Sequence, residues 1–373
     1  MRSIQSAVLA VLAFIASFFS GPDVFGVSTP EGRVIAFAKP HATHTLSNAG
    51  NQLSGQARTY YRRVFIKELL PRLVFNLFGR PDSIPLREGR TISWTTMGAL
   101  EAGETLTEGS DGSEATLSLG AKTATLADYG KYHRFSSHVA LNAPDPVLEE
   151  LVQRLAKRAA RDLDTVTRDV LKASSNIFRP STYTLNSQIT ASDVLDATMI
   201  QKAVATFNAN DVEPITSFIN PNGGSNTVTG EPAYVAFAHA HVVNDLRKNA
   251  GTNGFVTVDK YQAGNVIFPG EVGKIGQVRF INIGSQGAMT ANIGASSLVD
   301  VYHTIVIGAD AFGVVDLDNR PVEIMAVPPS QISHANPLGR RGSIGYVAAH
   351  AAAILIDNAV CVLNSASSYG VNT

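Results

Sequence analysis

The chain has 373 residues, of which 45% are hydrophobic and 16% charged, with a formal net charge of −1 and one cysteine. The apolar share excludes global disorder, and the length calls for roughly two domains with extensions. The missing basic block excludes a dedicated nucleic-acid binder, and Cys361 alone excludes an intrachain disulfide framework or a cysteine zinc site.

The charged fraction lies below the roughly 25% of an ordinary soluble domain. Such a surface suits a protein that hides much of itself against other subunits, or one that meets a membrane. Residues 1–20 bear on that choice. Arg2 precedes an apolar run over 7–19. Alone, this reads as a signal peptide, and it is short for a membrane span. Cleavage after Ser20 would put Phe18 where a small residue is wanted; a cut after Gly26 is tolerable. The competing reading is an arm that lays its apolar face on a neighbouring subunit. The segment alone favours export; the rest of the chain favours the arm.

Residues 26–54 mix Gly, Pro, Ser, Thr and His without periodicity and are predicted as an extended arm. Over 60–78 the spacing of Tyr61, Val64, Phe65, Leu69, Leu73 and Phe75 predicts a helix, broken at Pro71. Residues 91–98 are strand-like, with Ile92, Trp94 and Thr96 on one face. Between 100 and 118 come Glu101, Glu104, Glu108, Asp111 and Glu114 among small polar residues. A stretch of that length without core residues is usually functional. Strand character resumes over 121–128 and 131–139, so 91–139 is predicted as one long antiparallel excursion with an acidic tip.

The clearest element is 146–173. Leu148, Leu151, Val152, Leu155, Ala159, Leu163, Val166 and Val170 recur at steps of three and four, as an amphipathic helix requires. Asp145 suits the N-cap with Pro146 after it, and Glu149, Glu150 and Lys172 complement the dipole. Another helix is predicted over 192–208, with Val194, Leu195, Met199, Ile200, Ala203, Val204 and Phe207 inward. Then come a strand at 234–238, a helix at 240–248, and strands at 278–283, 303–307 and 323–327. The apolar run 344–363 is predicted as strand, turn and strand, with Cys361 as a small buried residue.

Reactive chemistry is sparse. Gly120-Ala121-Lys122-Thr123 lacks the spacing of a phosphate loop, and Gly284-Ser285-Gln286-Gly287 misses a nucleophile elbow by one position. His41 and His44 lack a nearby carboxylate or thiol. His239, His241 and Asp245 are the one set that invites a metal, but they fall at a strand-to-helix junction, where capping is the simpler role. His133, His138, His303 and His350 are isolated and read as structural. Glu150 with Arg154, and Arg158 with Asp162, are intrahelical ion pairs by spacing. Arg340-Arg341 reads as a solvated turn.

An acidic hairpin, a long helix and a mixed domain follow one another, and this order resembles the Hong Kong 97-like fold of tailed-bacteriophage major capsid proteins. Specific stretches carry the resemblance, which is closest to the subfamily typified by phage N-four. Lys67-Glu68-Leu69-Leu70-Pro71-Arg72-Leu73-Val74-Phe75 resembles the helix leading into the extended loop. Gly89-Arg90-Thr91-Ile92-Ser93-Trp94 resembles the first loop strand, Leu106-Thr107-Glu108-Gly109 the tip and Tyr129-Gly130-Lys131-Tyr132 the return. Leu163-Asp164 and Thr167-Arg168 fit the spine helix. Pro269-Gly270-Glu271-Val272-Gly273-Lys274-Ile275-Gly276, then Val278-Arg279-Phe280, resemble an axial-domain stretch, and residues 308–317 also look like the family pattern. Asn336-Pro337-Leu338-Gly339-Arg340 and Gly345-Tyr346 resemble the return to the last strand. The likeness runs from about Tyr60 to the C-terminus; the apolar N-terminus departs from it.

The resemblance implies an α+β fold: an N-terminal arm (1–58), a leading helix and linker (59–88), an extended β-hairpin loop (89–140), a peripheral domain with the spine helix (141–191), an axial domain (192–340) and C-terminal strands returning to the peripheral domain (341–373). It implies a structural protein rather than an enzyme, with no cofactor and no bound metal. Copies would form pentamers and hexamers of an icosahedral head around double-stranded DNA, assembled in the host cytoplasm, with scaffolding, portal and decoration proteins as further partners, non-specific DNA contact and no membrane. The acidic tip at Glu101, Glu104, Glu108, Asp111 and Glu114 is expected to meet Arg154, Lys157, Arg158 and Arg161 of a neighbouring subunit. Some capsids of this fold cross-link Lys to Asn between subunits; Lys122 and Asn358 are conceivable partners, though nothing in the sequence singles them out. Two rival readings remain: an exported surface-layer or binding protein with an N-terminal signal peptide, and a hydrolase or metal enzyme built on His239, His241 and Asp245.

Overall fold

The computed structural model describes residues 25–28, 34–37, 55–69, 72–85, 89–97, 105, 119–137, 147–219, 227–261, 268–295, 298–317, 322–327, 329 and 336–370. The run over 1–20, His41, His44, His138, the Asp145–Pro146 cap and the five acidic residues of the loop lie outside these. The chain divides into two units, Met1–Asn51 and Gln52–Thr373. In the first, β1 (Phe25–Ser28) and β2 (Val34–Phe37) form an antiparallel ribbon, with Phe25 opposite Phe37 and Val27 opposite Ile35.

In the second unit, helix α1 (Gly55–Leu69) ends two residues before Pro71, and a 3-10 turn at Phe75–Leu77 carries the apolar stripe onward. The helix expected at 146–173 is α2 (Val147–Lys172), 26 residues and so about 40 Å long. Its Val152, Leu155, Ala156, Ala159, Ala160 and Leu163 are buried with Phe65, Leu69 and Leu73. The steps of three and four read from the sequence are therefore the seam between the two helices.

Both helices lie on one face of a five-stranded sheet. Its order is β16 (Val322–Val327), β17 (Arg341–Ile354), β15 (Phe312–Leu317) and β3 (Arg80–Ile84), with β6 (Ala127–Ser136) along the other side of β17. Ile344, Tyr346 and Ala348 of β17 point at the helices. The alternate positions Ala349 and Ala351 face the opposite way, as the two-residue period of a strand requires. They are covered by Trp94 and Ala124 of a hairpin made from β4 (Thr91–Met97) and β5 (Leu119–Thr125).

The predicted excursion over 91–139 is thus a hairpin only as far as Thr125. After the buried Leu126, β6 pairs with β17 over ten residues, from Ala127 opposite His350 to Ser136 opposite Arg341. Tyr129-Gly130 is no break in the strand: Gly130 lets β6 approach the Tyr346 carbonyl, which a Cβ there would meet at 2.7 Å.

A nine-stranded sheet forms the second layer. Its main path is β10 (Val256–Thr257), β11 (Glu271–Ile275), β12 (Val278–Asn282), β9 (Thr227–Ala238), β14 (Val301–Ile307), β18 (Val360–Ser365) and β7 (Ile177–Phe178). The short strands β8 (Ile215–Ile219) and β13 (Ala288–Thr290) flank β9 and β14. One face is covered by α3 (Ala197–Ala209) and α4 (Ala240–Lys248), through Met199, Ile200, Ala203, Phe207, Val242, Val243 and Leu246. Against the other face lie Phe75, Leu77, Phe78 and Leu171, so the turn after α1 and the end of α2 join the two layers.

Two boundaries differ from expectation. The helix predicted from 192 starts at Ala197, because Asp193 accepts hydrogen bonds from the Thr190 amide and hydroxyl, and Asp196 caps the helix from the Met199 amide at 2.9 Å. Val194 and Leu195 precede it, although Leu195 is buried. The apolar run 344–363 is strand, turn and strand, but its halves belong to different sheets: β17 lies beside the long helix, and β18 sits between β14 and β7. Likewise, β15 and β16 fall in the five-stranded sheet.

Candidate assembly surface

The hairpin that leads into the acidic stretch is fastened at its root. Trp94 is 6% exposed, and its indole N–H donates to Asp82 Oδ2 at 3.1 Å. Arg90 pairs with Asp128 at 2.6 Å. Lys122 pairs with Asp357 at 2.8 Å within the same chain, while Asn358 donates to Asn210 Oδ1 at 3.2 Å. The structure therefore engages Lys122 and Asn358 separately. The carboxylates Glu101, Glu104, Glu108, Asp111 and Glu114 lie outside the described residues, so their expected meeting with the long helix is not tested by one subunit.

The helix side of that contact is visible. Arg154, Arg158 and Arg161 are exposed and Lys157 is half-buried, all on the flank of α2 away from its apolar seam. Arg154 grips Glu150 at 2.6 Å, and Arg158 reaches Asp162 at 2.9 Å, the two intrahelical pairs read from spacing. With Arg154 75% exposed, such a pair contributes at most about 1 kcal/mol and yields readily to a better partner. Asp162 also accepts from the Tyr346 hydroxyl at 2.5 Å, which ties the basic flank to β17. Burial, then that bond, pushes the Tyr346 hydroxyl well above its ordinary value.

Further along, α2 is anchored to the nine-stranded layer. Arg168 donates to the Gln286 carbonyl at 2.8 Å, and Lys172 to Thr290 Oγ1 at 2.8 Å. Asp164, 2% exposed, accepts from the Val74 amide at 3.1 Å. Burial pushes its carboxyl up to about 7, against the pull of the Val74 and Phe75 N–H groups. Sequence reading passed over Asp164 as a site residue, yet it stands on the buried row Ala156, Ala160, Asp164, Thr167 and Leu171. A lone carboxylate in a four-residue apolar repeat was the available signal.

The histidine set is structural. His239 caps α4: its Nδ1 accepts from the His241 amide at 3.1 Å. His241 Nδ1 shares a hydrogen bond with the Tyr302 hydroxyl at 2.8 Å. Asp245 accepts from Ser367 Oγ at 2.6 Å, from the Ser368 amide at 2.9 Å and from the Ser368 hydroxyl, fastening residues 367–368 to α4. Among the described residues no cluster of His, Cys, Asp or Glu has the arrangement of a metal site. His303, on β14, is bonded to Asn364 at 2.6 Å and Thr290 at 2.9 Å. Burial above all holds it down to about 4, with the Asn364 bond opposing and the Lys172, Arg179 and Arg168 charges assisting.

A network that sequence reading did not anticipate joins three strands. The Arg279 guanidinium, 1% exposed, lies between Glu231 at 3.1 Å and the fully buried Glu271 at 3.4 Å, over the ring of Phe268. Glu271 also accepts from the Tyr261 hydroxyl at 2.7 Å and the Phe268 amide at 2.8 Å.

Comparison with known proteins agrees with this architecture. The model of the phage capsid protein family matches residues 120–364. No curated protein sequence matches. Among solved structures, the capsid of Ralstonia phage GP4 superposes with a TM-score of 0.61 at 13% identity, covering 90% of this chain and 98% of that one. The head structure of Helicobacter pylori bacteriophage KHP40 gives 0.56 at 14% identity, covering 89% and 98%. The Cyanophage Pam1 capsid gives 0.54 at 14%, covering 89% and 99%. At these identities the superpositions speak for the fold; the family match speaks for descent. The narrower likeness to the subfamily typified by phage N-four rests on the sequence stretches alone. The chain belongs to the phage capsid protein family, as a tailed-phage major capsid protein with the Hong Kong 97-like fold.

Proposed function

We propose that copies of this chain assemble as pentamers and hexamers into a closed icosahedral head around double-stranded DNA. Each subunit lays its acidic loop, at Glu101, Glu104, Glu108, Asp111 and Glu114, across Arg154, Lys157, Arg158 and Arg161 of the next. The observation that carries this reading is the long helix: it presents a basic flank to solvent while its opposite side is committed to the subunit's own core. The hairpin root, fixed by Trp94, Arg90 and Lys122, gives the loop a defined point of departure. Many moderate contacts then close a shell through avidity rather than single-contact strength. The division into N-terminal arm, extended loop, peripheral domain and axial domain belongs to the same reading, as do scaffolding, portal and decoration partners and assembly in the host cytoplasm.

Negative-stain electron microscopy beside size-exclusion chromatography of the full chain tests it. Wild type is expected to give shells, rings or tubes. A variant with the five loop carboxylates changed to their amides is expected to remain a folded, soluble subunit and to assemble at least tenfold less. Closed shells from that variant, at wild-type yield, would rule out the loop-to-helix contact.

A further inference from the structure

Asp164 stands where the two cores of the subunit meet. Upstream of it α2 is buried against α1 and the five-stranded sheet; downstream, Leu171 is buried with Phe75, Leu77 and Phe78 on the nine-stranded sheet. The 74–78 turn crosses that boundary, and Asp164 holds it by accepting the Val74 amide. Its other oxygen, Oδ1, is buried without a hydrogen-bond partner among the described residues, and so is the side-chain oxygen of Asn76 in the same turn. Two orphaned acceptors at one contact are costly, and an ionised carboxylate in such a place more so. A proton on Asp164 removes the charge and turns an acceptor into a donor.

We infer that Asp164 is a proton-operated latch: protonated, it seats the 74–78 turn on the long helix, and ionised, it favours release of that turn and loosens the joint between the two sheets.

The charged and titratable groups around it are identifiable. On α2 these are Arg161 and Arg168, the latter turned to Asp169 and the Gln286 carbonyl. From α1 come Lys67 and Glu68, with Arg72 reaching Glu68 at 3.6 Å. β17 supplies His350, bonded to Thr167 at 3.0 Å, and β6 supplies Lys131 and His133, exposed opposite Tyr346 and Ile344. None of these is among the causes of the raised Asp164 value, which is set by burial against two N–H donors.

The sign follows from linkage. The carboxyl holds its proton more tightly in the closed site than when hydrated. Closure is therefore most favoured at low pH and weakens as pH rises from the ordinary carboxylate range to about 7, beyond which the loss is complete. With hydrated and buried values near 3.8 and 7, opening should increase on the order of a hundredfold between pH 5 and pH 8.

Amide hydrogen exchange of the full chain, read on fragments spanning 72–78 and corrected for intrinsic exchange, measures this. Wild type is expected to lose protection by roughly that factor, Asp164→Asn to vary only a few-fold, and His350→Gln to behave as wild type. The same pH dependence in Asp164→Asn, or its disappearance in His350→Gln alone, would overturn the latch. Should Asp164→Asn fail to fold, infrared titration of wild type decides: a buried carboxyl ionising between pH 6 and 8 supports the latch, and the lack of one ends it.

Discussion

Gly313 leaves no room for a side chain beneath Trp94: a Cβ there would come within 2.7 Å of the ring's Cζ2. Its backbone φ is ordinary, so what matters is the close approach. Gly313→Ala should lift the indole from the sheet, weaken its bond to Asp82 and cost about 1–3 kcal/mol, seen as a lower urea midpoint. Faster proteolysis between 98 and 118 should accompany it, because the hairpin root has lost its anchor. Trp94 was read as a strand residue sharing a face with Ile92 and Thr96, and it packs in one core with Ile92. Its glycine seat could not be read, since the two are more than two hundred residues apart and nothing local in Phe312-Gly313-Val314 marks a ring above it. On the helix side of the proposed contact, Arg154, Arg158 and Arg161 are exposed, and the contact itself belongs to the assembly proposal above. The chemistry suspected at His239, His241 and Asp245 dissolves into a cap, a tyrosine bond and a clamp on Ser367 and Ser368.

At the scale of elements, periodicity was legible and partnership was not. The long helix and its apolar seam followed from steps of three and four, and 240–248 was read as the helix α4 occupies. The course of β6 was not legible. Alternation of side chains marks a strand, but only a distant partner, here β17, decides whether it continues a hairpin or joins another sheet. Strand 234–238 was read seven residues short for a related reason: 227–233 contains Gly230 and Pro232, which argue against a strand until β8 pairs with it. Arg279 shows what such pairing protects. It joins β12 to β11 through Glu271 and to β9 through Glu231. Arg279→Met should cost about 3–5 kcal/mol near neutral pH, because it strands the buried Glu271 carboxylate. Adding Glu271→Gln should return part of that loss, and chemical denaturation of the single and double variants measures the difference.

For the whole molecule, two buried titrating groups act in opposite directions. His303 sits well below its ordinary value at about 4, so it contributes stability above about pH 6.5 that is lost as pH falls toward 4. Complete, that loss is about 3 kcal/mol. Asp164 does the reverse over nearly the same window, its contribution falling as pH rises toward 7. Wild type should therefore show a shallow dependence of unfolding free energy on pH between 4 and 6.5. His303→Gln should expose the slope of Asp164 and become more stable, relative to its own neutral value, on acidification. Urea denaturation across pH 4–8 checks this; a steep acid loss retained in His303→Gln would show that other groups govern the profile.

The passage from β17 through the Asp357–Ala359 turn to β18 has a mechanical side. One covalent segment, 341–365, is an interior strand in each sheet, flanked by β6 and by β15 and β16 in the first, and by β14 and β7 in the second. A pull that separates the layers loads this segment along its own length. The hydrogen bonds on its flanks then resist together, in shear, instead of opening one after another as at a peeled edge. In the closed head proposed above, segment 341–365 would serve as a tie-rod, carrying tension across the subunit along the backbone before any side-chain contact.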